Sequence, residues 1–334
     1  MSDLVSIIMP VKDAQDFLPD CISSIQQQGY VNWELVAVND HSSDKSGSIL
    51  REFSNSDERI TVFENSGNGI IPALRLAYSK ASGQFITRMD ADDLMLPDKL
   101  ERLLSACKAG GEKAIATGKV SYFSDDELKD GFLKYQNWLN DLIESGNPFS
   151  QIFKECPIAS PNWMLRRDFL NSIGAFEPNV YPEDYDLIFR SWVANAEPVL
   201  VNEVTHLWRD HQSRASRTDE NYSDNTFFDL KVTYFLKLIS EGEQIALYGA
   251  GKKGKKLAKL FLKENTSLRW FSNNPKKIGK DIYEVKLEND KRIFDADSPE
   301  KVVVAISSPE EQREIYHRFN EAGKQEGRDY YFFC

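Results

Sequence analysis

What most constrains this chain is the regular alternation, over residues 4–120, of short β-branched runs with helix-patterned stretches. VSIIM at 5–9 reads as a buried strand ending at Pro10, and Phe17, Leu18, Cys21, Ile22 and Ile25 mark one apolar face of the helix that follows. ELVAV at 34–38 is a second strand, followed by the polar turn NDHSSD at 39–44 and a helix containing Ile49, Leu50 and Phe53. ITVF at 60–63 is a third strand; the loop NSGNG at 65–69 and a helix over 70–80 lead to a fourth strand from Phe85. Strands alternating with helices predict βαβ units and a mostly parallel, three-layer sheet. Ligands of such sheets bind outside the carboxyl ends of the strands. Pro10, Asp40, Asn65 and Asp90 all fall at those ends.

The fourth strand runs directly into Arg88-Met89-Asp90-Ala91-Asp92-Asp93, three carboxylates within four residues. Oxygen ligands of this kind suit Mg²⁺ or Mn²⁺ with coordination positions left open for a diphosphate. The same hexapeptide also fits an acidic turn before a helix, with Asp93 as N-cap and Pro97 early in the helix. On the hexapeptide alone the two readings stand level.

A length of 334 residues predicts about two domains. With 41% hydrophobic and 28% charged residues the chain can build a sizeable core. A net charge of −11 argues against a general nucleic-acid binder. No apolar run approaches the ~18–20 residues that span a bilayer, and the first residues lack the pattern of a signal peptide. Cys21, Cys107, Cys156 and Cys334 lie far apart without a C-x-x-C pair, so a zinc site or disulfide framework is not expected. Reduced thiols and a cytoplasmic location follow, with peripheral contact at the inner face of the plasma membrane left open.

Residues 121–150 are irregular, ending in a helix pattern through Phe132, Tyr135, Trp138, Leu139 and Leu142. That pattern suits a packing helix better than an acceptor-binding lid. Residues 160–176 and 181–193 read as a further pair of elements, and the polar stretch 214–230 as a linker. A helix through Phe235, Leu236 and Ile239 then leads into a second α/β pattern from Gln244.

Four ordered motifs, VSIIMPVKD at 5–13, AVNDHSSD at 37–44, RMDADDLMLPDKL at 88–100 and PEDYDLIFR at 182–190, resemble the family 2 glycosyltransferases of the GT-A fold. The likeness runs over roughly residues 4–215 and is strongest to bacterial enzymes that build surface polysaccharides. It implies a GT-A domain at 1–215, a linker and helix at 216–242, and a smaller Rossmann-like domain at 243–334. The resemblance further implies an inverting, metal-dependent transfer from a UDP-sugar to a saccharide or lipid-linked saccharide, with Mn²⁺ or Mg²⁺ as cofactor. Carried onto this sequence, it places Pro10 and Val11 against the nucleoside, with Asp13 and Asn65 in the same nucleotide-sugar site. Asp40 faces the uracil ring, and Asp90 holds the ribose and approaches the metal through water. Asp92 ligates the metal directly, and His211 completes its shell or touches a phosphate. Asp184 is the general base, with Glu183 placing the acceptor or that base. Tyr181, Tyr185 and Trp192 are candidates for the apolar surround that raises a carboxyl pKa. Glu183 and Asp184 also suit the first turn of a helix, where the macrodipole favours acids.

Several positions depart from the family pattern. Asp13 stands where asparagine is frequent, and Asn39 replaces a common aspartate, which moves the nucleotide contact onto Asp40. Arg75 stands where many members carry asparagine and reads equally as a diphosphate contact or a solvated helix residue. The Q-x-x-R-W signature and membrane helices of processive synthases are missing, which favours single addition over polymerisation.

In the second α/β pattern, IALYGAGKKG at 245–254 is a strand running into G-x-G-x-x-G and a helix. That context suits dinucleotide phosphates at a helix N-terminus. The acid expected at the end of the next strand is replaced by Ser272-Asn273-Asn274, which weakens a nicotinamide reading. Lys252, Lys256, Lys259 and Lys263 share one helical face, read first as solvated, with phosphate or anionic-lipid contact as alternatives. The other functional readings are a sugar nucleotidyltransferase, an NAD-dependent sugar-modifying oxidoreductase and a non-catalytic sugar-nucleotide sensor. A homo-oligomer is left open.

Overall fold

The alternating pattern becomes two sheets in the computed structural model, which describes residues 3–124, 127–214, 226–240, 242–295, 298 and 300–334. The chain divides into two units, one of Met1–Pro148 with Ile158–Tyr222 and the other of Phe149–Pro157 with Ser223–Cys334. The short stretch Phe149–Pro157 thus belongs with the C-terminal unit although it lies between elements of the N-terminal one. Aromatic packing holds it there: Phe153 stacks on Phe333 at 5.2 Å and meets Phe235 edge-on at 5.5 Å.

In the N-terminal unit, β1 (Val5–Val11), β2 (Trp33–Asn39), β3 (Ile60–Glu64), β4 (Phe85–Arg88) and the two-residue β5 (Leu94–Met95) precede β6 (Ala114–Phe123), β7 (Trp163–Arg166) and β8 (Glu197–Arg209). They form one sheet in the order β3-β2-β1-β4-β7-β6-β8-β5. β1 pairs in parallel with both β2 and β4, β2 with β3, and β6 with β8. β7 runs antiparallel between β4 and β6. The inner strands are near-continuous apolar runs because both faces are covered: Val5, Ile7, Ile8 and Met9 of β1 are fully buried.

The helices are α1 (Leu18–Gln26), α2 (Ser46–Ser56), α3 (Ile70–Lys80), α4 (Lys99–Ala109), α5 (Asp130–Ser145), α6 (Arg167–Ser172) and α7 (Glu183–Val193). α1 buries Leu18, Cys21, Ile22 and Ile25, the face its spacing predicts. α5 buries Leu139, Leu142 and Ile143 and leaves its aromatic residues half-buried. Tyr135 stacks on Trp138 at 5.6 Å and meets Trp208 at 6.1 Å. Irregularity around 121 hides a ten-residue strand, β6, whose partner β8 arrives some eighty residues later.

In the C-terminal unit, α8 (Phe228–Phe235) precedes β9 (Ile245–Tyr248), α9 (Lys252–Lys263), β10 (Leu268–Ser272), β11 (Asp281–Ile282), β12 (Val285–Asn289), β13 (Lys301–Val304), α10 (Pro309–Glu321) and β14 (Tyr330–Phe332). The order β11-β12-β10-β9-β13-β14, parallel except for the edge strand β11, is the strand order of a doubly wound sheet. Two glycines of the 249–254 loop are required by geometry. Gly249 has φ +111°, and a Cβ on Gly254 would lie 2.0 Å from Gly249 O. On α9, Lys256 lies over Phe228 and Lys259 over Tyr283. Most of the linker predicted at 214–230 falls outside the described residues. Among the described residues no helix is long and apolar enough to cross a membrane.

Candidate active site

The central strands end level with one another because each continues the backbone ladder into its loop. Asp40 N–H donates to Val11 O at 2.7 Å, Asn65 N–H to Asn39 O at 2.9 Å and Met89 N–H to Ile8 O at 3.0 Å. Pro10, Val11, Asp40, Asn65 and the acidic turn after Arg88 are thereby brought to one edge of the sheet. Asp40 is buried; it accepts from Asn65 Nδ2 at 2.6 Å and from Gly69 N–H at 3.0 Å, with Lys12 Nζ 3.9 Å away. Asn65 Oδ1 accepts from Gly67 N–H at 3.1 Å, so this pair orders the 65–69 loop.

Three neighbouring side chains are engaged in shaping the walls. Asp13, at φ +47°, accepts from Ser43 N–H at 2.7 Å and Ser43 Oγ at 3.1 Å, which ties its loop to the turn after β2. Asn39 donates to Glu64 Oε2 at 2.7 Å and accepts from Ser42 N–H at 3.2 Å. Arg75 donates to Phe176 O at 3.1 Å, Glu177 O at 2.7 Å and Asn179 Oδ1 at 2.8 Å. The Arg75 guanidinium therefore braces the 176–179 loop.

Within the acidic turn the three carboxylates have three different environments. Asp90 accepts from Arg88 Nε at 2.7 Å and from Ser160 Oγ at 3.3 Å. Asp92 Oδ2 lies 2.9 Å from His211 Nε2, and its carbonyl accepts from Arg209 Nε at 2.8 Å. Burial would push the Asp92 carboxyl up, but the bond to His211 and the charge of Arg214 outweigh it and hold the group below its ordinary value. Arg214 lies over the rings of Trp208 and Tyr122, at 4.8 and 5.4 Å.

Asp93 is not a helix cap. It is fully buried and accepts from Arg209 N–H at 2.8 Å, with His206 Nε2 at 3.0 Å. The helix starts at Lys99, six residues on, and its N-cap Asp98 makes no side-chain cap bond. Lys99 Nζ, also fully buried, donates to Pro161 O at 2.6 Å and lies 3.0 Å from His206 Nδ1. When Lys99 is an ammonium it can only donate, so Nδ1 then accepts and the ring proton is placed on Nε2, facing Asp93. Burial pushes His206 well below its ordinary pKa, in keeping with a neutral ring, and lowers Lys99 to about 7. The chain Lys99–His206–Asp93 locks the acidic turn to β8 and to the loop before β7.

α7 presents Glu183, Asp184 and Asp186 in its first turn, where unpaired N–H groups and the macrodipole favour acids. Asp186 is taken by Arg190 at 2.7 Å. Glu183 Oε1 accepts from Arg88 Nη1 at 2.8 Å, while its other oxygen is buried with no hydrogen-bond partner among the described residues. One buried arginine thus joins the acidic turn to the start of α7. Burial would lower the Arg88 pKa, but the charges of Asp90, Glu183 and Asp184 raise it, so it stays protonated. Asp184 is pushed up to about 7, first by burial and then by the charge of Glu183, with Arg88 opposing. Tyr185, a predicted part of its apolar surround, is buried and stacked on Phe189 at 4.7 Å. A carboxyl poised near neutrality is suited to general-base work.

Asp92 Oδ2 and His211 Nε2, 2.9 Å apart, could both serve a divalent cation that takes further oxygens from a phosphate ligand and water, the carboxylate suiting Mg²⁺ or Mn²⁺ and the imidazole the softer of such ions. Among the described residues no group of three or more His, Cys, Asp or Glu is gathered to hold an ion without such a ligand. Sequence reasoning missed Arg88, Lys99, His206 and Arg214. The available signal was Arg88 itself, a charged residue closing a strand whose four residues are all buried.

The sequence profile of Glycosyl transferase family 2 matches residues 6–174 of the chain. The chain belongs to that family. The Escherichia coli UDP-Glc:alpha-D-GlcNAc-diphosphoundecaprenol beta-1,3-glucosyltransferase WfgD is 32% identical to this family 2 protein over 229 residues, covering 68% of this chain and 83% of WfgD. The crystal structure of S. aureus TarS 1-349 in complex with UDP-GlcNAc shares the fold, with a TM-score of 0.54 at 15% identity, covering 77% of this chain and 71% of that one. The mannosyltransferase PcManGT from Pyrobaculum calidifontis, in complex with GDP-Man and Mn²⁺, gives 0.51 at 19% identity, covering 77% and 69%. The chain spans 24% of the length of an uncharacterized glycosyltransferase of Rickettsia bellii that it also matches. In this family 2 chain the matched stretch takes in the strand ends and the acidic turn, whereas Glu183, Asp184 and His211 lie beyond it.

Proposed function

We propose that this protein is an inverting, metal-dependent glycosyltransferase. It moves a sugar from a UDP-sugar to a saccharide or lipid-linked saccharide in the synthesis of a cell-surface polysaccharide. The observation that carries this reading is the Arg88 bridge between Asp90 and Glu183, which sets Asp184 beside the acidic turn. Inversion requires a base on the sugar face opposite the nucleotide, and Asp184 comes from a different element than the acidic turn does. With its pKa raised to about 7, Asp184 takes the acceptor hydroxyl proton as the acceptor oxygen attacks the anomeric carbon. Glu183, held by Arg88, orients that acceptor.

On the donor side, Asp40 faces the base, Pro10 and Val11 the nucleoside, and Asp90 the ribose. Asp92 and His211 are the residues that would hold the cation, Mn²⁺ or Mg²⁺. When bound, the cation offsets the charge of the departing diphosphate. The donors named for TarS and PcManGT support a nucleotide sugar, and the name of WfgD supports a lipid-linked acceptor in polysaccharide assembly.

A thermal-shift panel of nucleotide sugars with and without Mn²⁺ tests the donor assignment, because a ligand that binds only the folded state raises its melting temperature. UDP-sugars should stabilise the protein in a Mn²⁺-dependent way. Equal response to nucleoside triphosphates and none to nucleotide sugars would favour a nucleotidyltransferase instead.

A further inference from the structure

The charge of this chain is unevenly placed. Residues 252–286 hold ten lysines and one arginine against three acids, Glu264, Asp281 and Glu284, a net charge of +8 within a chain of −11. Much of it is carried by α9, which buries Gly254, Leu257, Ala258 and Phe261. At 3.6 residues per turn, Lys252, Lys255, Lys259 and Lys263 fall on the opposite stripe, and all four are exposed. That stripe runs about 16 Å along the helix. Lys256, beside it, is turned toward α8 and lies 5.5 Å over the Phe228 ring.

The basic face extends past the helix. Lys259 Nζ lies 5.0 Å over the ring of Tyr283, which sits at the tip of the β11–β12 hairpin and is 40% exposed. Lys277 Nζ donates to Ala250 O at 2.7 Å, which brings the loop after β10, with exposed Lys276 and Lys280, beside the start of α9. Like charges on one helix stripe repel one another. Among the described residues none of Lys252, Lys255, Lys259 and Lys263 is in an ion pair, whereas Arg269 is held by Glu288 and Glu300.

A partner that offsets this repulsion is anionic, and residue type selects among anionic partners. Arginine, whose planar fork grips a phosphate or a base through two bonds, marks specific phosphate and nucleic-acid sites; here the one arginine is engaged by acids. Lysine is a hydrated point charge on a flexible stem and suits the diffuse field of a negatively charged bilayer. Within a Debye length of ~8–10 Å the local face, rather than the total charge, sets that attraction. The apolar side of α9 is committed to the core, so the helix can lie on such a surface without inserting. Tyr283 adds an exposed amphipathic ring of the kind that sits at headgroup level.

We propose that the lysine face of α9, with Tyr283 and the 276–280 loop, docks the protein on an anionic phospholipid surface. This assignment does not rest on the glycosyltransferase reading.

Co-sedimentation of the full chain with phosphatidylcholine vesicles, and with vesicles in which about a third of the lipid is phosphatidylglycerol, tests it. The protein should sediment with the anionic vesicles only, and should be released by ~0.5 M NaCl. Lys255→Glu with Lys263→Glu, two changes on the exposed stripe, should weaken binding at least ~10-fold at an unchanged melting temperature. Lys129→Glu with Lys134→Glu, the same change of charge at exposed positions on and beside α5, should keep it within ~3-fold. Asp92→Ala should sediment as the wild type does. The proposal is overturned by failure to bind the anionic vesicles at low salt, by equal binding to both kinds, or by equal loss in the two double variants. Retention on RNA without vesicle binding would overturn it in favour of nucleic acid. A dimer that the Lys255→Glu, Lys263→Glu protein fails to form, again without vesicle binding, would overturn it in favour of a second copy of this acidic chain.

Discussion

Asp184→Asn should raise stability and abolish turnover together, because the same burial does both. The Asp184 carboxyl is raised from 3.8 to about 7. At ~1.4 kcal/mol for each tenfold change in proton affinity, that rise sets an upper limit of ~4 kcal/mol on what ionised Asp184 costs the fold. Asp184 is only partly buried by its surface accessibility, so solvent screening reduces the expected value to ~1–2 kcal/mol. The sign follows from a raised folded-state pKa. The wild type has its full stability below the unfolded value near 4 and loses this contribution as pH rises through about 7. The asparagine variant is not subject to that loss. Melting curves of both proteins from about pH 5 to pH 8.5 should therefore diverge with rising pH. At ~2–4 °C per kcal/mol the N-terminal unit of the variant should melt a few degrees higher at the alkaline end. Turnover of the variant should fall ~10²–10⁴-fold with UDP affinity unchanged, the loss expected for a general base. In the wild type kcat should climb as pH passes about 7, where the carboxylate forms. Parallel melting curves at every pH, or turnover within ~10-fold of wild type, would refute the reasoning.

Arg88→Met leaves Asp90 and Glu183 without their shared cation and should cost ~3–5 kcal/mol in denaturant unfolding; a loss below ~1 kcal/mol would show the bridge to be incidental. Lys99→Met removes the donor to Pro161 O and His206 Nδ1, and should cost ~2–4 kcal/mol and weaken Mn²⁺-dependent UDP binding through the loosened acidic turn. Unchanged Mn²⁺ dependence in that variant would confine the Lys99–His206–Asp93 chain to stability. Gly254→Ala drives a methyl group into Gly249 O and should lower the C-terminal unfolding transition by ~1–3 kcal/mol; an unshifted transition would mean that the 249–254 loop can move aside.

Local periodicity made much of this molecule readable. The face of α1, the helix at 70–80, the first four strands and the polar strand ends follow from patterns spanning fewer than a dozen residues. β6 and β8 were hidden because their parallel pairing joins stretches about eighty residues apart and brackets a strand, β7, of opposite direction. Nothing in the composition of Phe149–Pro157 sets it apart from its neighbours, so its place in the C-terminal unit emerges only from aromatic packing.

At the site, acids announced themselves by spacing, while their partners did not. Lys99 opens α4 and His206 lies within β8, among other polar residues, and their role depends on a contact across more than a hundred residues. Asp93 was misread for a related reason. A carboxylate just before a helix resembles a cap, yet its ligands, His206 and the Arg209 amide, come from β8. Asp13 and Arg75 are polar side chains near the strand ends whose bonds to neighbouring loops emerge only from the fold.

The most direct test of the central claim is a calorimetric titration of UDP, with and without Mn²⁺, into the wild type, Asp92→Ala and Asp184→Asn. If Asp92 serves the cation and Asp184 the acceptor, Mn²⁺ should strengthen UDP binding to the wild type and to Asp184→Asn but not to Asp92→Ala. Equal Mn²⁺ enhancement in all three proteins would contradict the account.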